Sequence, residues 1–220
     1  STLNAHYTSP MVIKAIYEAV GNMGFEAGNI LEPSCGVGNF FGLLPESMAA
    51  SRLYGVELDS ITGRIAQQLY PKANIAIRGF EKSGFPDGFF DLAIGNVPFG
   101  NYSLVDRRYD REHLLIHDYF FAKTIDAVRA GGVIAFVTSN ASLANAGTEA
   151  GMDIVFLQKR DMPRSLNDPL PEWTEVDTLE EHTYTGGDGK EKRGFVTMNR
   201  YFQAHPEMVL GNLEITSGPF

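Results

Sequence analysis

The run Ile30-Leu31-Glu32-Pro33-Ser34-Cys35-Gly36-Val37-Gly38-Asn39-Phe40 decides how the rest of this 220-residue chain is read. A short apolar segment enters a turn whose glycines permit close backbone approach and positive φ, and a helical pattern begins directly after it. Such a strand–turn–helix unit makes a crevice at the carboxyl end of a parallel strand, where a nucleoside-bearing molecule can lie. It is not the nicotinamide dinucleotide fingerprint, because Val37-Gly38-Asn39-Phe40-Phe41 lacks the third glycine. A second stretch, Asp91-Leu92-Ala93-Ile94-Gly95-Asn96-Val97-Pro98-Phe99-Gly100, repeats the arrangement with an apolar strand that ends in an amide, a proline and an aromatic ring. Two strand ends that each carry unusual chemistry predict one bipartite site.

Outward from these stretches, the pattern alternates. Met11–Val20 has apolar residues at helical spacing, with Ser9 placed as N-cap and Pro10 as first helical residue. Strands are expected at Asn29–Glu32, Leu53–Leu58, Ala73–Arg78, Phe90–Ile94 and Val133–Thr138. Helices are expected after Gly38, after Asp59-Ser60 and over His113–Val128, the last stopped by Gly131-Gly132, with Gly95 to Tyr109 as a long loop. This alternation predicts an α/β doubly wound, Rossmann-like fold with a mostly parallel sheet. Met152–Lys159 is a further strand, but the linker before it is too short for a parallel crossover. Either that strand enters antiparallel, or Asn145–Thr148 marks a place where a stretch is missing. Beyond Asp161 prolines and the Thr185–Lys190 turn punctuate short segments, with one strand at Phe195–Met198 and a short helical piece from Tyr201. The expected organisation is a main domain over 1–160 and a C-terminal extension packed on it over 161–220.

Composition narrows the class. With 44% hydrophobic residues the chain is an ordinary globular protein. The Ser1–Tyr7 opening has no basic-then-apolar leader pattern and no run is long enough to span a membrane, so a cytoplasmic location is expected. One cysteine excludes an internal disulfide, and five scattered histidines give no metal signature. His113 and His117 are four apart on the expected helix, without a third ligand. A net charge of −9 argues against a non-specific nucleic-acid sleeve, although Arg107, Arg108 and Arg111, and later Lys159, Arg160 and Arg164, could form a local basic rim.

In their order, Thr8-Ser9-Pro10, Glu32-Pro33-Ser34-Cys35-Gly36-Val37-Gly38, Val56-Glu57 and Asn96-Val97-Pro98-Phe99 resemble the N6-adenine DNA methyltransferases that place the cofactor motif first. The runs Gly95–Tyr102 and Ile116-His117-Asp118-Tyr119-Phe120-Phe121-Ala122-Lys123 further resemble methylase domains of large helicase-like phage and mobile-element proteins. The likeness covers about residues 5–160, and the amide-Pro-aromatic element is shared with glutamine and RNA-base amino-methyltransferases.

That resemblance implies S-adenosylmethionine as cofactor, with Tyr7, Thr8, Ser9, Pro33, Ser34, Cys35, Gly36, Gly38, Asn39, Phe40, Glu57, Leu58, Phe80, Glu81 and Asn96 around it. Thr8, Ser9 and the glycine turn suit its amino and carboxylate groups. Glu57, at a strand end, suits the ribose hydroxyls, and its rival Asp59 fits a helix cap better. Glu81 either reaches the adenine amine or is a solvated turn acid, with Phe80 as wall or core ring. Cys35 reads as a buried structural residue. The residues implied for catalysis are Asn96, Pro98 and Phe99. A purine amine is a poor nucleophile because its lone pair is delocalised. Carboxamide and backbone carbonyl acceptors can orient it, and Phe99 can stack on an extruded base. Val97 and Phe99 depart from the usual Pro and Tyr, keeping the carbonyls and the ring but losing a hydroxyl. The expected partner is DNA, in a restriction-modification or mobile-element setting, with a recognition or helicase-like domain or subunit outside this chain. RNA-base or protein-glutamine methylation, or a non-catalytic nucleic-acid-binding module, are the alternatives.

Overall fold

The computed structural model describes residues 8–139, 152–162, 165, 167–169, 175–185 and 190–208. Tyr7, Arg164 and the Asn145–Thr148 linker, on which expectations were placed, lie outside them. The described residues fall into two compact units, 8–139 with 152–162, and 165–208.

The first unit opens with α1 (Pro10–Asn22), where the Ser9 hydroxyl accepts from the Val12 amide and proline occupies the first turn. Ile13, Ile16, Tyr17 and Val20 then fall on one buried face, the i, i+3, i+4, i+7 spacing of a helix packed on a sheet. There follow β1 (Asn29–Glu32), α2 (Asn39–Gly42), β2 (Arg52–Glu57), α3 (Ser60–Leu69), β3 (Asn74–Ile77), β4 (Phe90–Asn96), α4 (Ile116–Ala127), β5 (Val128–Ser139) and β6 (Met152–Gln158). The sheet order is β3-β2-β1-β4-β5-β6. All neighbouring pairs are parallel except β5–β6, so the late strand does enter antiparallel.

Successive side chains of a strand face opposite sides of the sheet, and here both sides are covered. Ile30, Leu92, Ile94, Val133, Ala135 and Val137 share one core with the α1 residues. Leu31, Ala93, Ile134 and Phe136 share the other with Ile116, Tyr119, Phe120 and Ala127 of α4. This explains why the central strands read as unbroken apolar runs rather than as alternation.

Three local expectations are corrected. Strand β4 runs past Ile94 to Asn96, because Gly95 and Asn96 still pair with Phe136 and Val137. Helix α4 begins at Ile116, not His113, which sits at φ 49 and cannot continue a right-handed helix. His113 and His117 therefore do not share a helix face. Gly131-Gly132 does not stop α4. The helix ends at Ala127, with the Lys159 ammonium donating to the carbonyls of Ile125 and Val128 at 2.7 Å each. The glycines instead lie inside β5, at the irregularity that shifts its pairing with β4 between Phe90 and Leu92.

The second unit contains β7 (Val176–Thr185) and β8 (Glu191–Asn199), an antiparallel pair, followed by α5 (Arg200–Ala204). The sequence reading found only the Phe195–Met198 part of this pair. Asn199 caps α5 by accepting from the Tyr201 amide, and Arg200 is paired with Glu175 and Asp177.

Candidate functional site

From β1 the chain runs outward to β2 and β3, then returns to place β4 on the other side of β1. The crevice beyond the carboxyl ends of β1 and β4 is thus the point where strand order reverses, the place where open α/β sheets take their ligands. The glycine turn and the Asn-Val-Pro-Phe stretch are both at this point.

The turn after β1 is tied to β2. The Cys35 amide donates to the Val56 carbonyl at 2.9 Å, and the Gly38 amide to the Cys35 carbonyl at 2.7 Å. Gly36 (φ 54) donates its amide to Glu57 Oε2 at 2.7 Å, and a Cβ on it would meet nothing within 4 Å. The turn therefore faces open space at Gly36. Gly38 is different: at φ 86 it caps α2, and a Cβ there would lie 2.4 Å from the Tyr70 ring. Glu57, half-buried at the end of β2, also accepts from the Asp59 amide through Oε1 at 2.7 Å. Its rival is committed elsewhere, since Asp59 Oδ1 accepts from the Ile61 and Thr62 amides at 2.9 Å as N-cap of α3. The Thr62 hydroxyl, foremost among these partners, holds the Asp59 carboxyl below its usual range.

At the end of β4, Asn96 is held from two sides. Its Nδ2 donates to Thr8 Oγ1 at 3.2 Å, and its carbonyl accepts from Ser34 Oγ at 2.7 Å. Three segments far apart in sequence are joined by these bonds, the Ser34 bond holding the Asn96 backbone and the Thr8 bond its carboxamide. Val97 is buried and its amide donates to the Val137 carbonyl at 3.1 Å, which keeps the backbone extended into Pro98 and Phe99, both partly exposed.

The remaining expected residues spread around this centre. Pro33, Cys35 and Phe40 are buried, the Phe40 carbonyl accepting from the Tyr17 hydroxyl at 3.0 Å, and Asn39 is partly exposed. Burial, then Glu32 and Glu57, push the Cys35 thiol well up, as suits a structural cysteine. The Ser9 hydroxyl is the α1 cap. Leu58 is exposed at the mouth of β2. Phe80 is a core ring packed on Phe120 and Tyr119, and Glu81 is half-buried beside it.

The sequence reading quoted Glu32 but gave it no role. It is 2% exposed, its Oε2 has no partner among the described residues, and its Cγ lies 3.2 Å from where a Cβ on Gly95 would stand. Burial, then the nearby Glu57, raises its carboxyl well above the usual range. Of the two acids at the ends of β1 and β2, Glu57 is the one partly exposed in this corner, with Glu32 buried behind it.

The basic rim is smaller than its sequence implied. Arg108 makes a two-pronged pair with Asp87 and a further one with Asp126, and Lys159 caps α4. Arg107, Arg111 and Arg160 are exposed. Among the described residues no cluster of three His, Cys, Asp or Glu could hold a metal, and no helix is long and apolar enough to cross a membrane.

No family model matches the chain. It is 30% identical over 141 residues to "Defense against restriction protein B" of Escherichia phage P1, a match covering 62% of this chain and 6% of that protein. It is 34% identical over 93 residues to the type II methyltransferase M.CvrRI of Paramecium bursaria Chlorella virus XZ-6E, covering 42% of this chain and 24% of the relative. The chain thus spans less than a third of the length of either. A modification subunit assigned to a type I restriction enzyme from Vibrio vulnificus YJ016 superposes with a TM-score of 0.53 at 18% identity, over 66% of this chain and 36% of that one. An S-adenosylmethionine-dependent O-methyltransferase from Thermotoga maritima gives 0.52 at 11% identity, over 73% and 69%. The fold is therefore the Rossmann-like methyltransferase fold. In sequence the chain is similar to parts of a phage protein named for defence against restriction and of a viral type II methyltransferase.

Proposed function

We propose that residues 8–162 form the catalytic unit of an S-adenosylmethionine-dependent methyltransferase that acts on the N6 amine of adenine in DNA. The observation that carries this reading is the placement of Asn96, with its carboxamide fixed by Thr8 and its carbonyl by Ser34, beside the Gly36–Glu57 turn at the strand-order reversal. S-adenosylmethionine, when bound, supplies an electrophilic methyl on a cationic sulfur. The open face at Gly36 and the partly exposed Glu57 beside it fit such a cation-bearing nucleoside.

The chain's own residues then account for orientation. Thr8 Oγ1 engages the Asn96 amide nitrogen, so the carboxamide oxygen is the group that can accept from an incoming amine. Pro98 has no amide hydrogen, and the backbone beside it offers carbonyl acceptors. Holding both amine hydrogens on these acceptors lets the nitrogen pyramidalise, so its lone pair leaves the ring π system and localises toward the methyl. The methylated nitrogen then sheds one proton to water, and transfer depends on positioning and charge complementarity. Phe99 offers a ring for stacking on an extruded base. Aromatic stacking favours a base over a glutamine side chain. The similarity to a phage restriction-defence protein and to a viral type II methyltransferase favours DNA over RNA. We further propose that sequence recognition is supplied outside residues 8–162.

The test is transfer of a labelled methyl group onto unmethylated genomic DNA, total RNA and a protein extract in parallel, with titration calorimetry of the cofactor. Label in DNA as N6-methyladenine is expected. Label in RNA or protein alone overturns the substrate assignment. Tight cofactor binding with no transfer to any of the three points to a unit that lacks its recognition part or to a non-catalytic module.

A further inference from the structure

The Ile116–Lys123 run that marked the sequence has a place in the fold but no part in the site as described. Lys123, midway along α4, points its ammonium at two other segments. It donates to Asp106 Oδ2 at 2.9 Å and to the Glu81 carbonyl at 3.1 Å, and lies over the Phe80 and Tyr119 rings, 5.4 and 5.7 Å from their centroids. Both members of the Lys123–Asp106 pair are about 85% buried. Asp106 is the hub of the long segment after Phe99. Its carboxylate also accepts from the Tyr119 hydroxyl at 2.7 Å and the Arg108 amide at 3.1 Å, and its carbonyl from the Tyr109 and Asp110 amides at 2.8 and 2.9 Å. One ammonium thereby fastens the Phe80–Glu81 turn, beyond β3, to the segment that leaves β4 through Asn96 and Phe99.

We infer that Lys123 is a positioning residue that couples the cofactor side of the site to the base side. Resting on the function proposed above, it fixes the Phe80–Glu81 turn against which the adenosine end is seated, and through Asp106 it sets the 97–115 segment that carries Phe99. Seating of the nucleoside against that turn steadies Lys123, and Lys123 steadies the segment. The same linkage works in reverse, because coupling between two sites is reciprocal. A Met at this position keeps the stem and the ring contacts but cannot hold either oxygen. An Asn at Asp106 keeps its shape and loses the charge that Lys123 and the Tyr119 hydroxyl both address.

The test is hydrogen exchange of the amides of Asp106, Arg108, Tyr109 and Asp110 with and without S-adenosylhomocysteine, in the wild type, Lys123→Met and Asp106→Asn, with calorimetry of the same ligand in each. In the wild type the ligand should slow exchange of these amides by roughly ten-fold, and in both variants that response should vanish while affinity falls by about ten-fold. Asp106→Asn serves if Lys123→Met does not fold. A variant that binds the ligand and still passes its effect to residues 106–110 overturns the coupling, as does a wild type that binds it without altering their exchange. A purely structural role would lower the melting temperature and leave the ligand response intact. A wild type that shows no binding heat removes the functional reading itself, and this proposal with it, and calorimetry tells that case from the others.

Discussion

Replacing Glu32 by Gln should remove a pH dependence of stability. In the unfolded chain this carboxyl ionises near pH 4.3 as in a model peptide. In the fold its ionisation is opposed first by burial and then by the charge of Glu57. The folded protein therefore holds a proton that the unfolded chain releases. Stability from this group is fully present below the unfolded pKa and is lost as pH rises toward the folded one. One proton gives a slope of about 1.4 kcal/mol per pH unit across the range between the unfolded and folded values. Gln has the same shape and no such slope. Denaturant unfolding at a series of pH values should find the two proteins within about 1 kcal/mol near pH 5 and Glu32→Gln the more stable by pH 8. Parallel stability curves would refute the argument. The same buried acid predicts that S-adenosylmethionine, a cation, displaces on binding the proton that Glu32 still carries in the fold. Calorimetry in buffers of different ionisation enthalpy should detect this release in the wild type and not in Glu32→Gln.

Gly38→Ala should destabilise by roughly 1–2 kcal/mol from its positive φ alone, and by more because the Tyr70 ring must move, whereas Gly36→Ala carries only the backbone part; thermal melts of both check the difference. Lys159→Met should destabilise by about 1–3 kcal/mol by leaving the Ile125 and Val128 carbonyls without their shared donor, measurable by urea unfolding. Burial works against ionisation of Asp106, but the Tyr119 hydroxyl, Lys123 and the Arg108 amide outweigh it and lower its pKa, so its contribution is present above the unfolded carboxylate range and lost as pH falls through the folded pKa. Protection of the 106–110 amides, measured against their intrinsic exchange rates, should fall in acid before global unfolding sets in.

Features set by near neighbours in sequence were legible. The Ser9–Pro10 start, the Asp59 cap, the glycine turn and the apolar strands follow from local chemistry, and the short linker before Met152 gave the antiparallel edge as one of two outcomes. Features set by distant partners were not. Glu32 looks like any strand-end acid until β2 and β4 close on both sides of it. Arg108 reads as a free cation until Asp87 and Asp126 are brought to it. The Asp106–Lys123–Glu81 node joins three separate segments, and no local spacing reports such a meeting. The start of α4 was misplaced because apolar spacing continues back through Leu114 while His113 adopts a backbone that no helix tolerates. The β7–β8 pair escaped because its first strand, Val176–Thr185, is largely polar.

The most direct test of the central claim is quantification of N6-methyladenine in unmethylated DNA after incubation with labelled S-adenosylmethionine, using the wild type and Asn96→Ala side by side. The proposed site predicts labelled N6-methyladenine from the wild type, and its near loss in Asn96→Ala, on the order of a hundred-fold or more, with cofactor affinity retained within a few-fold. Equal transfer by the two proteins would contradict the role given to Asn96. Label found at a DNA position other than adenine N6 would contradict the chemistry assigned to the site.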